Sequence, residues 1–165
     1  MIRWADVGDA EHLAEVHVRT WQRAYEHIFP EDFLLGLDRG SRARWWGRFV
    51  GEGHRVHVAE DAGRVVGFCH ADSSSDAGWG EIFSIYVSPE CWGRGHGHAL
   101  LTAGESTLLA KGHERALLWV LEANERGRRF YERQHWTMGK PIRVEEIGGV
   151  QVTEVRYEKG LTGGL

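Results

Sequence analysis

The stretch that decides the fold reads Glu81-Ile-Phe-Ser-Ile-Tyr-Val-Ser-Pro-Glu-Cys-Trp-Gly-Arg-Gly-His-Gly-His-Ala-Leu-Leu101. Its first part alternates. Glu81, Phe83, Ile85 and Val87 share one face of a strand over residues 79–87, and Ile82, Ser84 and Tyr86 share the other. Pro89, which has no N–H to give a sheet, stops that strand. After the glycines, Ala99, Leu100, Ala103, Thr107 and Ala110 form an apolar stripe that predicts a helix over 98–111, closed by Gly112. Strand, glycine turn and helix, in that order, present unpaired backbone N–H groups and the positive end of a helix dipole to an anion. Gly93, Gly95 and Gly97 let a diphosphate approach the main chain without Cβ clashes, and Arg94 adds a positive charge. The spacing is G-x-G-x-G, which fits the dinucleotide fingerprint G-x-G-x-x-G poorly, and the Gly-Lys-Ser/Thr of a Walker loop is absent. On the glycines alone, a plain structural turn remains open.

Upstream, residues 2–7 alternate as a first strand, and Asp9 is placed to cap a helix. Leu13, Val16, His17, Thr20, Trp21, Ala24 and Ile28 recur at spacings of three and four, a stripe that Pro30 ends. Short helices are predicted over 31–37 and 41–50. From Arg55 the period changes to two, and Asp61-Ala-Gly63 joins the arms of a hairpin. Downstream, Ala116 to Leu121 is almost continuously apolar, as a strand buried on both faces requires. A helix follows from Asn124 to about Gln134, and residues 144–147 and 150–158 form a last hairpin. The order predicts an α/β (α+β) fold, a mixed sheet with helices packed on it, as one domain over 1–160 with a frayed tail over 161–165.

Composition narrows the function. The chain has 165 residues, with 20 Lys+Arg against 24 Asp+Glu and a formal charge of −4. That length suits a single domain, and the acidic balance argues against non-specific binding to nucleic acid. No apolar run approaches a membrane span, and no basic region followed by an apolar stretch marks a secretory signal, so a cytoplasmic location is expected. Two cysteines cannot build a disulfide framework; Cys69 reads as core, and Cys91 as an exposed loop residue without a base to activate it. The close histidine pairs, His54 with His57 and His96 with His98, lack a completing Cys or carboxylate at a zinc-like spacing, so no metal is expected.

Taken with its flanks, the segment 81–101 resembles the central motif of the GNAT superfamily of N-acetyltransferases. There a strand ending Leu/Ile-Tyr-Val-x-Pro runs into Gln/Arg-x-x-Gly-x-Gly/Ala and a helix beginning near Ala-Leu-Leu. Trp92 departs from the usual Gln or Arg, so only its backbone is carried over. Asn124-Glu-Arg-Gly127-Arg-Arg-Phe130-Tyr131-Glu-Arg-Gln-His135-Trp136 resembles the family's Asn-x-x-Ala-x-x-Phe-Tyr-x-x-x-Gly-Phe. Gly127 stands there for Ala, His135 for Gly and Trp136 for Phe. Gly127 weakens a helix interior, and His135 tolerates the positive φ common at a helix end. Thr20-Trp-Gln-Arg-Ala-Tyr25, with Phe29 and Pro30, also looks like bacterial members. The resemblance covers residues 2–159 and is specific in the two blocks 81–101 and 124–136.

The resemblance implies a single-domain, mostly antiparallel sheet flanked by helices. It also implies acetyl-CoA as cosubstrate and an amine acceptor that attacks the thioester directly in a ternary complex. Ile85, Tyr86 and Val87 would hold the pantetheine arm through backbone groups. Gly93, Arg94, Gly95, His96, Gly97 and His98 would wrap the diphosphate. Asn124 would contact the cofactor arm, cap a helix, or do both. Tyr131 is the candidate proton donor to the departing thiolate, or else a packed aromatic; Glu81 is the candidate base acting through water, or else a solvated charge. His17, Trp21 and Tyr25 either line the acceptor pocket or belong to the core. The final hairpin offers an edge for a homodimer. Two rivals stand beside the enzyme: a non-catalytic acyl-CoA-binding module or sensor, and a phosphate or nucleotide-sugar binder. The acceptor stays open among peptide N-termini, lysines, polyamines, aminoglycosides and amino acids.

Overall fold

Both periodicities read from the sequence become elements of the computed structural model, which describes residues 1–161. In chain order these are β1 (Ile2–Trp4), α1 (Ala10–Ala24), α2 (Glu31–Leu35), α3 (Arg39–Gly51), β2 (Val56–Asp61), β3 (Arg64–Ser73) and β4 (Gly80–Val87), followed by α4 (His96–Ala110), β5 (Arg115–Leu121), α5 (Glu125–Arg133), β6 (Thr137–Ile147) and β7 (Val150–Gly160). Among the described residues the strands form a seven-stranded sheet in the order β1-β2-β3-β4-β5-β7-β6. The pairs β1–β2, β2–β3, β5–β7 and β7–β6 are antiparallel, and β4–β5 is parallel. The chain divides into two compact units. One comprises Met1–Ala71 with Ser84–Gly104; the other comprises Asp72–Phe83 with the chain from Glu105 onward.

The first unit is built on the α1 stripe. Leu13, Ala14 and Val16 pack with Ala43 and Trp46 of α3 against Val56 and Val58 of β2 and Phe68 of β3, all nearly sealed from solvent. α1 stops at Ala24, six residues before Pro30, because Tyr25 and Phe29 turn inward and are buried. Asp9 does not cap α1. Its carboxylate takes two hydrogen bonds from the Arg3 guanidinium (2.8 and 3.0 Å) and one from the Asp6 N–H (2.9 Å), closing a capping box around the 3-10 turn Val7–Asp9. Cys69 is core, as expected. Cys91 is also buried, because the short turn Pro89–Cys91 folds inward rather than looping into water.

In the second unit, Ala116, Leu117, Leu118, Val120 and Leu121 of β5 are buried, as the continuous apolar run demanded, while Trp119 is half-buried. β7 lies between β5 and β6 with an unbroken register from Arg115↔Gly160 to Leu121↔Glu154. The last hairpin is longer than its sequence pattern suggested: β6 begins at Thr137, and a bulge between Met138 and Ile142 breaks the alternation there. His135 adopts φ +66° as it leaves α5, the conformation expected of that position. Next to it Trp136 is buried and donates its indole N–H to Glu105 at 2.9 Å. Leu161, assigned by sequence to the frayed tail, is buried and donates its N–H to the Glu114 carbonyl; residues 162–165 lie outside the described residues.

Candidate functional site

The first unit holds the strand end and the glycine loop. β4 ends at Val87, whose carbonyl accepts from the Trp92 indole N–H (2.7 Å) and from the Thr20 hydroxyl (3.2 Å). The Ser88 N–H donates to the Val66 carbonyl at 2.8 Å. β3 passes so close that a Cβ on Gly67 would sit 2.8 Å from the Tyr86 carbonyl oxygen, so only glycine fits there. Beyond Trp92 the chain opens. Gly93 and Gly95 adopt φ +76° and +87°, while a Cβ on either would meet nothing within 4 Å. These glycines serve the left-handed backbone, not a tight space.

That backbone leaves its donors free. The N–H groups of Gly93, Arg94, Gly95, His96 and Gly97 find no acceptor among the described residues, and in the first turn of α4 the Ala99 N–H donates to the Gly95 carbonyl at 3.1 Å. The exposed Arg94 guanidinium has no carboxylate partner among the described residues. His96 Nε2 lies 3.5 Å from the Asp61 carboxylate, so one acidic group borders the loop. His98 is exposed on the first turn of α4. Free amides on curled backbone, a helix N-terminus and an unpaired guanidinium make a donor set that fits the diphosphate of coenzyme A.

Tyr86, Trp21 and Tyr25 belong to an aromatic cluster in the same unit. His17 lies 5.1 Å from Tyr86 and 5.7 Å from Trp21, ring centre to ring centre. Trp21 stacks on Phe29 at 5.8 Å and meets Tyr25 edge-on at 5.0 Å. Neither His17 Nδ1 nor Trp21 Nε1, both sealed from solvent, has a hydrogen-bond partner. Burial first, and the Arg42 charge second, push the His17 pKa down to about 3, so the ring is neutral at ordinary pH. The stripe is therefore packed much as core residues are, with Tyr25 only 9% exposed.

Glu81, Asn124 and Tyr131 lie in the second unit. The Ser74 hydroxyl donates to Glu81 Oε2 at 2.7 Å. Burial raises the pKa of the Glu81 carboxyl, and Asp76 adds to that, while Ser74, Arg143 and Arg156 pull it back. The loop carrying Ser74 and Asp76 is anchored: Arg156, itself buried, pairs with Asp76 and lies over the Trp79 ring, and Arg115 also lies over that ring. Asn124 Oδ1 accepts from the Gly127 N–H at 3.0 Å, which establishes the helix-cap role. A Cβ on Gly127 would fall 2.6 Å from Asn124 Nδ2, which explains glycine in this place. Tyr131 is half-buried, with its ring 6.2 Å from Tyr157 and 6.5 Å from Trp136.

The model of the acetyltransferase (GNAT) family matches residues 13–136. The chain belongs to the acetyltransferase (GNAT) family. Among its relatives is an uncharacterized N-acetyltransferase of Bacillus subtilis, YuaI, 34% identical over 163 residues, covering 93% of this chain and 89% of the relative. A mycothiol acetyltransferase of Stackebrandtia nassauensis is 39% identical over 138 residues, covering 75% of this chain and 45% of the relative. The chain thus spans less than half the length of that protein. The crystal structure of an N-acetyltransferase from Staphylococcus aureus superposes with a TM-score of 0.76 over 98% of both chains; at 18% identity this is a likeness of fold.

Membership makes this chain an acetyl-CoA-dependent N-acetyltransferase. Three of its side chains at the site escaped the sequence reading. Trp92, carried over as backbone only, spends its indole N–H on Val87. Thr20 stood in an apolar stripe as the one hydroxyl, which was the available signal. Ser74, in a polar loop, carried no signal, because nothing local ties it to Glu81 seven residues on. Among the described residues no helix is long and apolar enough to cross a membrane, and no group of three or more His, Cys, Asp or Glu side chains is placed to hold a metal ion.

Proposed function

We propose that the protein transfers the acetyl group of acetyl-CoA to an amine, of a small molecule or of a peptide or protein, by direct attack within a ternary complex. The observation that carries this reading is the run of five amide donors, Gly93 to Gly97, that lack acceptors beside an unpaired Arg94. Those donors bind the diphosphate and so fix the distant acyl end, and positioning of this kind supplies much of the rate of a two-substrate transfer. Acetyl-CoA supplies the thioester.

The chain's own residues do the rest. Ile85 and Tyr86 offer main-chain groups to the pantetheine arm; Val87 contributes less, since its carbonyl is already taken twice. Asn124 spends Oδ1 on its helix cap and keeps Nδ2 for the cofactor arm. An alkylammonium with a pKa of about 10.4 must lose a proton before it can attack, and Glu81 takes that proton through water. Its raised pKa brings it nearer to neutrality, where a base works best. Tyr131 gives a proton to the departing thiolate. Trp21, the half-buried one of the pair, offers aromatic surface to the acceptor, and the buried Tyr25 braces its ring edge-on.

Thermal shift with acetyl-CoA, followed by a thiol-release screen over a broad amine panel, tests this. Acetyl-CoA is expected to raise the melting temperature of the unmodified protein, and less so for Gly93→Ala or Gly95→Ala. At least one amine is expected to release thiol, and Glu81→Gln to slow that release. Absence of any shift overturns the reading; a shift without turnover on the whole panel replaces catalysis with acyl-CoA binding alone.

A further inference from the structure

The loop has a fixed root and a free rim, and the boundary between them falls at Trp92. On the root side, the Val87 carbonyl accepts both the Trp92 indole N–H at 2.7 Å and the Thr20 hydroxyl at 3.2 Å. Ser88 is buried and bonded to Val66 of β3, Cys91 is buried, and Glu90 pairs with Arg19 of α1 at 2.8 Å. On the rim side, the N–H groups of Gly93 to Gly97 donate to no acceptor among the described residues; the rim's contacts are the Gly95 carbonyl, which accepts from Ala99 at 3.1 Å, and His96, 3.5 Å from Asp61. Trp92 itself is extended, with φ −63° and ψ 148°, and is the last residue before the left-handed Gly93.

We propose that Trp92 and Thr20 form a clamp on the Val87 carbonyl that sets where the glycine loop starts, and so strengthens its grip on the diphosphate of coenzyme A. The inference rests on the proposed role of the loop as the diphosphate site. A carbonyl oxygen has two lone pairs, and two donors from different elements, α1 and the loop itself, fill both. The strand end can then neither twist nor draw back without breaking a bond in a largely buried place. A loop held at its root loses less freedom when its rim closes on an anion, and the saved ordering cost returns as affinity. Trp92 is thus a positioning residue. Its indole N–H is turned to the protein's own backbone.

The clamp acts on one part of the cosubstrate, which makes it testable. Calorimetric titrations of coenzyme A, and of S-acetylpantetheine, which lacks the diphosphate, are run on the unmodified protein, Thr20→Val, Trp92→Phe and Gly95→Ala. Thr20→Val and Trp92→Phe are each expected to weaken coenzyme A about three- to tenfold, the range one lost neutral hydrogen bond allows, and to leave S-acetylpantetheine within about twofold. If Gly95→Ala weakens coenzyme A but neither clamp variant does, the clamp is overturned and the diphosphate loop stands. If Gly95→Ala leaves coenzyme A unaffected, the loop reading falls and the clamp with it. Equal weakening of both ligands by the clamp variants also overturns the proposal, since it marks a general disturbance. Should Trp92→Phe not fold, Thr20→Val, which keeps shape and removes only the hydroxyl, decides alone.

Discussion

Replacing His17 by Phe should remove about 2 kcal/mol of the stability that this protein loses between pH 7 and pH 5. The His17 ring stands among Trp21, Trp46, Phe68 and Tyr86, with its Nδ1 sealed and unpaired. Burial, helped by the Arg42 charge, pushes its pKa from the ordinary 6.5 down to about 3. Above pH 6.5 the imidazole is neutral both folded and unfolded, and it adds nothing to the pH dependence. Below that, the unfolded chain takes up a proton that the folded protein refuses, so stability falls as pH falls, until the folded value near 3 is reached. At pH 5 the unfolded imidazole is about 1.5 pH units below its pKa, and at about 1.4 kcal/mol per unit the loss is about 2 kcal/mol. Phe is aromatic and slightly larger, has no polar atom to leave unpaired and cannot titrate, so any packing cost it adds is the same at both pH values. Urea unfolding of both proteins at pH 7 and pH 5 isolates the effect, because every other group contributes equally to both. In melting temperature the difference corresponds to roughly 4–8 °C for a chain of this size. Equal losses in the two proteins would refute the reasoning, and so would a His17 imidazole signal, assigned by its disappearance in the variant, that titrates near pH 6.5 in the folded protein.

Further outcomes can be checked in the same preparations. Ser74→Ala removes a hydrogen bond that holds the Glu81 pKa down, so the acidic limb of kcat/KM should move to higher pH; an unmoved limb argues that Glu81 is not the base. Tyr131→Phe should lower kcat by about a hundredfold at neutral pH if the hydroxyl protonates the thiolate, and an unchanged kcat in thiol-release assays would reassign that role. Gly127→Ala should bring no stability in the native sequence, because the new Cβ displaces the Asn124 cap, a loss of about 1 kcal/mol that cancels the helix-propensity gain. In an Asn124→Ala background the same change should stabilise by up to about 1 kcal/mol; additive effects in that double-mutant cycle would show that the two side chains are not coupled.

The legible parts of the fold were those written in consecutive residues. Alternation along Glu81–Val87, the stop at Pro89 and the glycines after it placed β4, the loop and α4 to within two residues. The motif residues Asn124 and Tyr131 were likewise visible in the block that carries them, and the positive φ of His135 was readable from its place at a helix end. Less legible were features that depend on a partner. Asp9 looked like a helix cap, and only the approach of Arg3 and Asp6 turned it elsewhere. Pro30 looked like a helix end, but inward turning of Tyr25 and Phe29 ended α1 earlier. Residues 137–143 did not read as a strand, because a bulge breaks the alternation that marks one.

By itself the sequence determined a helix-flanked sheet, the open glycine loop and the family, since period, breakers and motif are properties of neighbours along the chain. Tertiary structure alone decided that β7 lies between β5 and β6, that Ser74 reaches Glu81, and that Thr20 meets a carbonyl 67 residues away. The reason is physical. A backbone conformation is chosen by a few adjacent residues, but a hydrogen bond between distant side chains exists only after packing has brought their elements together.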